Sequence, residues 1–380
     1  MTHAATGRQV VRKLTANAIL LGASVLVTLL LIETGLRLYY RVPLLRMENF
    51  IWERADFLNS NPHNIYDEKL GWRGTPNIRE TWHIDGVIVH YTVDAYGDRL
   101  SAPGPTDRPV PQRGTLAVGD SFTLGAEVTD EQTWPALLEK MIGGPVVNAS
   151  TGAWGTDQIL VRAGQMIDAA DPKTVIVGYI PHDVVRSEHA IMFGVQKPYY
   201  TVEAGKPVLH NVPVPRPAKI SDKIGVVRTV LGYSYFVYWG ARRLGFDDRL
   251  QGWEALRSVP DGVGTQITCL LMQELKERLD RAGIAAVFVM EYAYDDLAAP
   301  KQSRAIAVVD CAGRARFAVV DTWDAFAAIY ASEKMHFDSL WVYHPKEGTF
   351  GHMSGDGNRL VAAAIAARLR ETGNGTTRPP

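Results

Sequence analysis

Residues 115–125 read TLAVGDSFTLG, a short apolar run that passes through a glycine-containing turn into a helix-like stretch. Four more apolar runs follow along the chain, with segments of helical spacing between them. The runs are residues 115–118, 146–148, 174–179, 285–290 and 317–320, and the helical spacing is clearest in 134–141, 158–169 and 266–282. This alternation predicts an α/β fold in which a five-stranded parallel sheet lies between two layers of helices. Such sheets bind ligands at the carboxyl ends of their strands.

Composition excludes several classes of protein. Of the 380 residues, 46% are hydrophobic and 21% charged, which is too apolar for a disordered chain. Forty basic and 41 acidic residues leave a net charge of -1, so a nucleic-acid partner is not expected. Cys269 and Cys311 are too few for a disulfide scaffold and lack the spacing of zinc ligands. They could pair in an oxidising compartment, but two separate thiols are the expectation.

The N-terminal region contains a run long enough to span a bilayer. Residues 14–32 are free of charge, and 19 residues of helix approach the ~30 Å hydrocarbon core. A cleaved signal peptide is the alternative, but no small-residue cleavage site follows the run, so an uncleaved anchor is favoured. Basic residues flank it almost evenly, at 8, 12 and 13 and at 37, 41 and 46. We expect a single-pass membrane protein with the rest of the chain on one side of the bilayer.

The domain boundaries follow from the changes in texture along the chain. We predict a cytoplasmic stub and anchor over residues 1–45, a β-rich stem over 46–112, an α/β domain over 113–372 and a disordered tail over 373–380. Within the stem, residues 82–93 alternate and contain Asp85-Gly86, which predicts a hairpin. An insertion covers about 186–261. Its apolar segment 224–244 is interpreted as a helix that covers one side of the sheet, or else as a cap over an acyl pocket or a surface on the bilayer.

Four motifs lie where the chemistry of a parallel sheet is expected. GDSFTLG at 119–125, NASTGAWGTDQ at 148–158 and GYIPHDV at 178–184 follow the first three strands, and GHMSGDGNRLVA lies at 351–362. A serine at a strand-to-helix turn can expose its hydroxyl while its backbone N–H stabilises negative charge, although Asp-Ser is also a common helix start. Together the motifs resemble the SGNH (GDSL-like) hydrolase family, in particular its membrane-anchored bacterial members, over residues 91–370. The resemblance implies a flavodoxin-like α/β/α fold. It also implies a single-pass protein of a bacterial inner membrane, with its soluble part in the periplasm.

The resemblance also implies site residues. Ser121 matches the nucleophile and His352 the general base, and His336 and His344 rank lower because they lack the Gly-Asn-helix context. The family's oxyanion glycine falls on Ser150, with Gly152 nearby and Ala153 where a second glycine is usual. His182 stands in place of the oxyanion asparagine, where an imidazolium would be a strong donor, or points into solvent. Asp120 and Asp183 accompany these positions.

One position departs seriously from the family pattern. Thr349 stands where an aspartate would orient the base, so Glu347 is the proposed acid and Asp338 a more distant one. Without either, the site is a Ser–His dyad or inactive.

These residues predict acyl-ester chemistry through an acyl-Ser121 intermediate. The substrate expected is an acyl ester, with O-acetyl among the candidates, of an envelope saccharide or lipid. Two alternatives stay open: an O-acyltransferase that modifies envelope polysaccharide, and an SGNH-fold binding or assembly protein with impaired catalysis. No metal ligand set and no phosphate-binding glycine loop is evident, so no metal or cofactor is expected.

Overall fold

The computed structural model describes residues 2–45, 49–51, 62–84, 87–217, 220–246, 250, 255–345 and 348–373. These form two compact units. One contains residues 1–60 and 218–254, and the other contains 61–217 and 255–380. The predicted turn at Asp85-Gly86, the acid candidate Glu347 and the tail from 374 onward lie outside the described residues.

A five-stranded parallel sheet forms the centre of the larger unit, as predicted. Its strands are β5 (Thr115–Val118), β6 (Val146–Asn148), β7 (Thr174–Tyr179), β13 (Ala285–Met290) and β14 (Ala318–Asp321), in the order β14-β13-β7-β5-β6. Four of the five match the predicted bounds, and the last is displaced by one residue. Every residue of β5 and β7 is buried. Strands buried on both faces explain why these segments read as continuous apolar runs rather than alternating ones.

Helices cover both faces of this sheet, which confirms the three-layer prediction. On one side α3 (Trp134–Ile142) packs against the C-terminal helix α13 (Gly355–Glu371). On the other side α8 (Val263–Ala282) packs against α4 (Thr156–Ala170) and α10 (Ser303–Arg314). Shorter helices are α2 (Ser121–Leu124), α5 (Pro181–Arg186), α9 (Tyr294–Leu297), α11 (Trp323–Ser332) and α12 (Lys334–Ser339).

The two cysteines are joined by a disulfide, so the expectation of two separate thiols is wrong. Cys269 lies on α8 and Cys311 on α10, and their Cα atoms are 5.5 Å apart. That distance is typical of a disulfide and arises because the two helices pack side by side. The 41 residues between the cysteines concealed this proximity in the sequence.

Antiparallel hairpins are added around the parallel sheet. β1 (Asn64–Asp67) pairs with β2 (Gly71–Gly74), and β3 (Arg79–Ile84) pairs with β4 (Val87–Thr92) around the predicted turn. Further short strands are β8 (His189–Met192), β9 (Val195–Gln196), β10 (Tyr199–Glu203), β11 (Lys206–His210), β12 (Leu256–Arg257), β15 (Trp341–His344) and β16 (Thr349–Met353). The hairpin residues and residues 186–217 belong to the same compact unit as the sheet.

The smaller unit is built on the long N-terminal helix α1 (Thr2–Tyr39). Its segment Leu14–Tyr39 is long and apolar enough to cross a membrane, and signal sequences have the same character. The unit also contains α6 (Ile220–Leu231), interrupted at Gly225, and α7 (Tyr235–Leu244). The interpretation of 224–244 as one helix on the sheet is therefore corrected. The segment breaks before Ser234, whose hydroxyl accepts from Val237 N–H at the start of α7, and it groups with α1.

Candidate active site

Ser121 is the first residue of α2 and is separated from the end of strand β5 by Gly119 and Asp120. The turn requires glycine at 119, because a Cβ there would lie 2.1 Å from Thr123 Oγ1 and 2.9 Å from the Gly178 carbonyl oxygen. Asp120 caps the short helix by accepting a 2.9 Å hydrogen bond from Phe122 N–H. The serine is thus fixed at the carboxyl end of the sheet, where the sequence predicted ligand chemistry.

The structure brings Ser121 and His352 together. His352 lies on β16, and its Nε2 is 2.9 Å from Ser121 Oγ, which is hydrogen-bond distance. The ring of Phe122 lies 5.0 Å from the imidazole and restricts its orientation. His336 and His344, which ranked lower in the sequence, are not at this position. A hydroxyl beside an imidazole is the minimal arrangement for nucleophilic catalysis.

A carboxylate that the sequence did not suggest completes the contact series. Glu127 Oε1 lies 2.7 Å from His352 Nδ1, and Glu127 Oε2 accepts a 3.1 Å hydrogen bond from the backbone N–H of His352. His344 Nε2 is 3.1 Å from the same Oε2. Burial alone would raise the pKa of Glu127, but the hydrogen bonds and charge of His352 outweigh it and lower the pKa. Glu127 is therefore an ionised partner for the imidazole.

The loop after α2 carries Glu127 into this position. α2 ends at Gly125, whose φ of 75° is left-handed. A Cβ at this glycine would also lie only 2.5 Å from Thr133 Cγ2. Gly125 and Ala126 both donate backbone hydrogen bonds to the Ser121 carbonyl oxygen, so the chain reverses tightly behind the serine. Glu127 follows immediately, within six residues of the serine.

Arg99 holds this loop from the other side. Its guanidinium donates to the carbonyl oxygens of Leu124 at 3.0 Å and Val128 at 2.6 Å, and also to that of Gly125. Its Nε donates to Asp130 Oδ1 at 3.1 Å, and both side chains are fully buried. Arg99 therefore fixes the backbone on both sides of Glu127. Neither Arg99 nor Glu127 was predicted from the sequence, in which the available signal was an acid six residues after the serine.

Two acids were proposed from the sequence as the partner of His352. Of these, Glu347 lies outside the described residues. Asp338 accepts a 2.9 Å hydrogen bond from the Tyr294 hydroxyl and forms an ion pair with Lys334. Its carboxylate is therefore committed away from His352. The partner that the structure gives the histidine comes from the loop of the serine instead.

The second motif passes beside the serine at Gly152. A Cβ on Gly152 would lie 3.8 Å from Ser121 Cβ, and the Gly152 carbonyl accepts a 3.0 Å hydrogen bond from Trp72 Nε1. Among the described residues the backbone N–H groups of Ser121, Ser150 and Gly152 have no acceptor. Ser150 is buried, and within the described structure its hydroxyl also has no partner. Ala153 adopts a left-handed φ of 65° at the position where the family pattern has glycine.

His182 begins the helix α5 with Pro181, and its side chain is exposed. Desolvation of the imidazole by the surrounding protein, and then the charge of Arg186, lower its pKa to about 4. Part of the ring remains exposed to solvent. At neutral pH His182 is a neutral imidazole. Desolvation of the ring, and then the charge of Arg186, therefore disfavour the imidazolium that would have been the stronger donor.

Asp120 and Asp183 meet at a shared arginine. Arg186 Nη1 lies 2.6 Å from Asp183 Oδ1 and 3.2 Å from Asp120 Oδ2, and it also donates to the Trp154 carbonyl at 3.1 Å. Asp183 Oδ2 accepts from Ile180 N–H at 3.0 Å. Complete burial, and then the charge of Asp120, raise the pKa of Asp183. These groups tie the turn before the serine to the second and third motifs.

A buried carboxyl group lies beneath the serine helix. Thr123 Oγ1 donates to Glu291 Oε1 at 3.1 Å, and Glu291 directly follows β13. Burial, and then the charge of Asp120, raise the pKa of Glu291 to about 8. The group is therefore mostly protonated at neutral pH. Nothing in the sequence distinguished it from an ordinary strand-terminal acid.

A cleft of about 410 Å³ opens beside Glu127 and Gly152. Its other walls come from the hairpins and the loop after α2, and they are His63, Asn64, Trp82, His83, Tyr91, Leu124 and Ala126. The rings of Trp82 and Tyr91 stack with centroids 5.0 Å apart. The volume falls in the range of small-molecule sites. Across the residues that the structure describes, no group of three potential ligand side chains could hold a metal ion.

Comparison with known proteins gives a likeness among solved structures. A G-D-S-L family protein from Desulfitobacterium hafniense DCB-2 is 15% identical, covers 68% of this chain and 100% of its own, and has a TM-score of 0.37. An acetylxylan esterase from Geobacillus stearothermophilus is 13% identical, covers 72% of this chain and 100% of its own, and has a TM-score of 0.38. An esterase from Pseudoalteromonas sp. is 11% identical, covers 69% of this chain and 100% of its own, and has a TM-score of 0.35.

No protein-family model matches the chain, and no curated protein matches it. The structural likeness is too distant to assign an activity.

Proposed function

We propose that this protein is a serine ester hydrolase in which Ser121 is the nucleophile, His352 the general base and Glu127 the carboxylate that orients the base. One observation carries the proposal: Ser121 Oγ, the two ring nitrogens of His352 and Glu127 Oε1 are connected by contacts of 2.9 and 2.7 Å. This is the constellation of a serine triad, which is recognised by geometry rather than by chain order. A histidine without an acid partner would have favoured the impaired alternative.

The reaction proceeds in two acyl-transfer steps. His352 Nε2 takes the proton of Ser121 Oγ as the oxygen bonds to the ester carbonyl carbon, and the imidazolium then protonates the leaving alcohol as the C–O bond breaks. Water attacks the acyl-serine in the second step. It gives a proton to His352, which returns it to Ser121 as the carboxylic acid leaves. Glu127 stabilises the imidazolium that forms in each step.

The developing oxyanion is assigned to backbone donors. We place it against the N–H groups of Ser121 and Gly152, which have no other acceptor among the described residues. Gly152 passes close to the serine, whereas the sequence pattern had favoured Ser150. Neutral His182 remains a candidate third donor from α5.

The substrate proposed is an ester of an envelope saccharide or lipid. The cleft beside Glu127 has aromatic walls in Trp82 and Tyr91 and an amide in Asn64, whose side chain has no hydrogen bond within the described structure. Aromatic faces with polar edges suit a group that is itself amphipathic. A saccharide hydroxyl that replaced water as the acceptor would turn the same intermediate into acyl transfer.

Active-site labelling tests the proposal. A fluorophosphonate probe should label the wild-type chain, and p-nitrophenyl acetate should be hydrolysed at a rate that Ser121→Ala abolishes. Ser332→Ala changes an exposed serine and is the matched control. Equal labelling of the wild type and Ser121→Ala would contradict the assignment.

We further propose that α1 is a retained inner-membrane anchor and that the larger unit is periplasmic. Glu33 of α1 accepts hydrogen bonds from the Tyr235 and Phe236 N–H groups at the start of α7. Signal cleavage would remove the acceptor of these two N–H groups and leave only the Ser234 cap on Val237 N–H, which is unfavourable. The disulfide is consistent with an oxidising compartment. Intact mass of the membrane-extracted protein, with and without alkylation under non-reducing conditions, tests both points. Loss of the first 40 residues or two alkylated thiols would contradict them.

A further inference from the structure

A pocket lined by aromatic and basic side chains lies at the C-terminal end of α1, and the proposed catalysis does not use it. It has a volume of about 360 Å³ and is lined by Tyr40, Tyr235, Tyr238, Trp239, Arg242 and Arg243. We propose that this pocket binds the phosphate of an anionic phospholipid headgroup in the bilayer that α1 crosses. The proposal rests on α1 being a retained anchor.

The pocket is built by a junction between α1 and α7. Glu33 accepts from Ser234 Oγ at 2.9 Å and from the first two N–H groups of α7 at 2.8 Å. Arg37, one turn later on α1, pairs with Glu33 and donates to the Tyr233 carbonyl at 3.0 Å. Two turns after Glu33, the Tyr40 hydroxyl accepts a 3.2 Å hydrogen bond from Trp239 Nε1. The walls of the pocket therefore have defined positions relative to α1.

The depth of this junction matches the headgroup layer. The charge-free run ends at Ile32, and residues 14–32 span about 28 Å as a helix, close to the ~30 Å hydrocarbon core. Glu33 is the first charged residue beyond it, and Tyr40 lies about 10 Å farther along the helix. Headgroups occupy that level, where tyrosine, tryptophan and arginine side chains are favoured.

The charge of the pocket selects an anion. The guanidinium carbons of Arg242 and Arg243 lie 5.8 and 5.7 Å from the ring centroids of Tyr238 and Trp239. Within the described part of the chain neither arginine forms an ion pair with an acid. Glu33, the nearby carboxylate, is already committed to the start of α7. Two guanidinium groups on aromatic supports, with no acid paired to them among the described residues, fit a phosphate, which they can bind with several N–H groups.

The neighbouring helix supports a lipid rather than a soluble phosphate compound. α6 exposes Val226, Val227 and Val230 to the extent of 79%, 72% and 64%. Exposed valines one helical turn apart would be unfavourable in water, whereas they pack against acyl chains at a bilayer surface. α6 and α1 belong to the same compact unit, so the proposal assigns the acyl chains of the bound lipid to these valines.

Native mass spectrometry of the full-length protein in detergent tests the proposal. Phosphatidylglycerol or phosphatidylcholine is added at equal concentration, and the lipid-bound fraction is read together with the intact mass. We expect preferential retention of phosphatidylglycerol. In Arg242→Gln/Arg243→Gln the affinity should fall about 30-fold, since each basic residue near a membrane surface contributes about 1 kcal/mol. The charge-conserving Arg242→Lys/Arg243→Lys should keep most of the preference.

A control variant distinguishes binding at this pocket from a general attraction of anionic lipid to basic side chains. Arg359→Gln/Arg370→Gln removes two cations from α13 in the other unit and should bind lipid like the wild type. Equal retention of the two lipids, an unchanged preference in the double glutamine variant of the pocket, or displacement of the lipid by millimolar inorganic phosphate would each overturn the proposal. An intact mass that lacks α1 would overturn it as well. None of these readings depends on hydrolysis, so failure of the catalytic proposal is a separate result.

Discussion

Replacing Glu127 by glutamine tests the least expected feature of the site. The variant keeps the size of the side chain but removes its charge. In the wild type the two carboxylate oxygens accept from His352 Nδ1 at 2.7 Å and from the His352 backbone N–H at 3.1 Å. An amide offers only one acceptor oxygen. The NH₂ group must then face either the backbone N–H or Nδ1 of His352. Facing the backbone N–H, it loses that hydrogen bond, and facing Nδ1, it favours the tautomer that carries its proton on Nε2.

The size of the effect follows from the same contact. A unit charge 2.7 Å from an imidazolium is worth about 6 kcal/mol at an effective dielectric constant of ~20. This is an upper bound, because Glu127 keeps 16% of its side chain exposed. Removing the triad carboxylate charge costs about 10⁴ in kcat in serine proteases. We therefore expect kcat to fall ~10³- to 10⁴-fold with little change in KM, since Glu127 acts on the base rather than on the substrate.

Steady-state hydrolysis of p-nitrophenyl acetate and the rate of fluorophosphonate labelling measure this loss. Glu131→Gln, four residues along the same loop, is the matched control and should keep wild-type rates. Glu127→Asp retains the charge with a shorter reach and should recover part of the activity. If Glu127→Gln hydrolyses the ester within twofold of the wild type while Ser121→Ala does not, the acid has been assigned wrongly.

Three further substitutions probe the frame around the site. Arg99→Lys keeps a charge beside Asp130 but loses most of the carbonyl contacts, so urea denaturation should show a loss of about 2–4 kcal/mol and kcat should fall at nearly constant KM; unchanged kcat would refute the positioning role. Ala153→Gly should raise stability by up to about 1 kcal/mol in thermal unfolding because its φ is 65°; a loss would mean that no strain is stored there. The pKa of Glu291 is raised from 4.5 to about 8, so the native state binds the extra proton and stability falls as pH rises between those values. Glu291→Gln removes this dependence and should stabilise the protein by about 3 kcal/mol at pH 7 and by little near pH 4, and parallel pH profiles of the two proteins would contradict it.

The sequence predicted the sheet well because inner strands such as β5 and β7 are buried along their whole length. Runs such as 174–179 contain no charged residue, and each is followed by a stretch of helical period. The segment 224–244 was misinterpreted for the opposite reason. It belongs to the compact unit of α1, and Val226 and Val227 are exposed in the structure. Apolar content alone does not distinguish a helix that faces a protein core from one that belongs beside a membrane helix.

The candidate site was predictable only where motif and local geometry coincide. Ser121 and His352 each lie in a recognisable motif, and the structure brings them together. Glu127 lies in no such motif. Its position depends on the chain reversal at Gly125 and on the buried Arg99, which comes from a separate part of the chain. The pKa of His182 was not predictable from the residue type, because desolvation by the folded chain, and then the charge of Arg186, lower it.

Because Glu127 lies on the same loop as Ser121, the distance between the acid and the serine is set within one short segment of the chain. Ser121 and Glu127 are six residues apart, and the hydrogen bonds from Gly125 and Ala126 to the Ser121 carbonyl set their separation locally. His352 then contacts both ends of one segment, since its Nε2 meets the serine while its Nδ1 and backbone N–H meet the glutamate. The ring orientation therefore does not require a carboxylate from the loop that precedes the histidine. An aspartate three residues before the base can be absent from this chain because Glu127 makes the contact that such a residue would make.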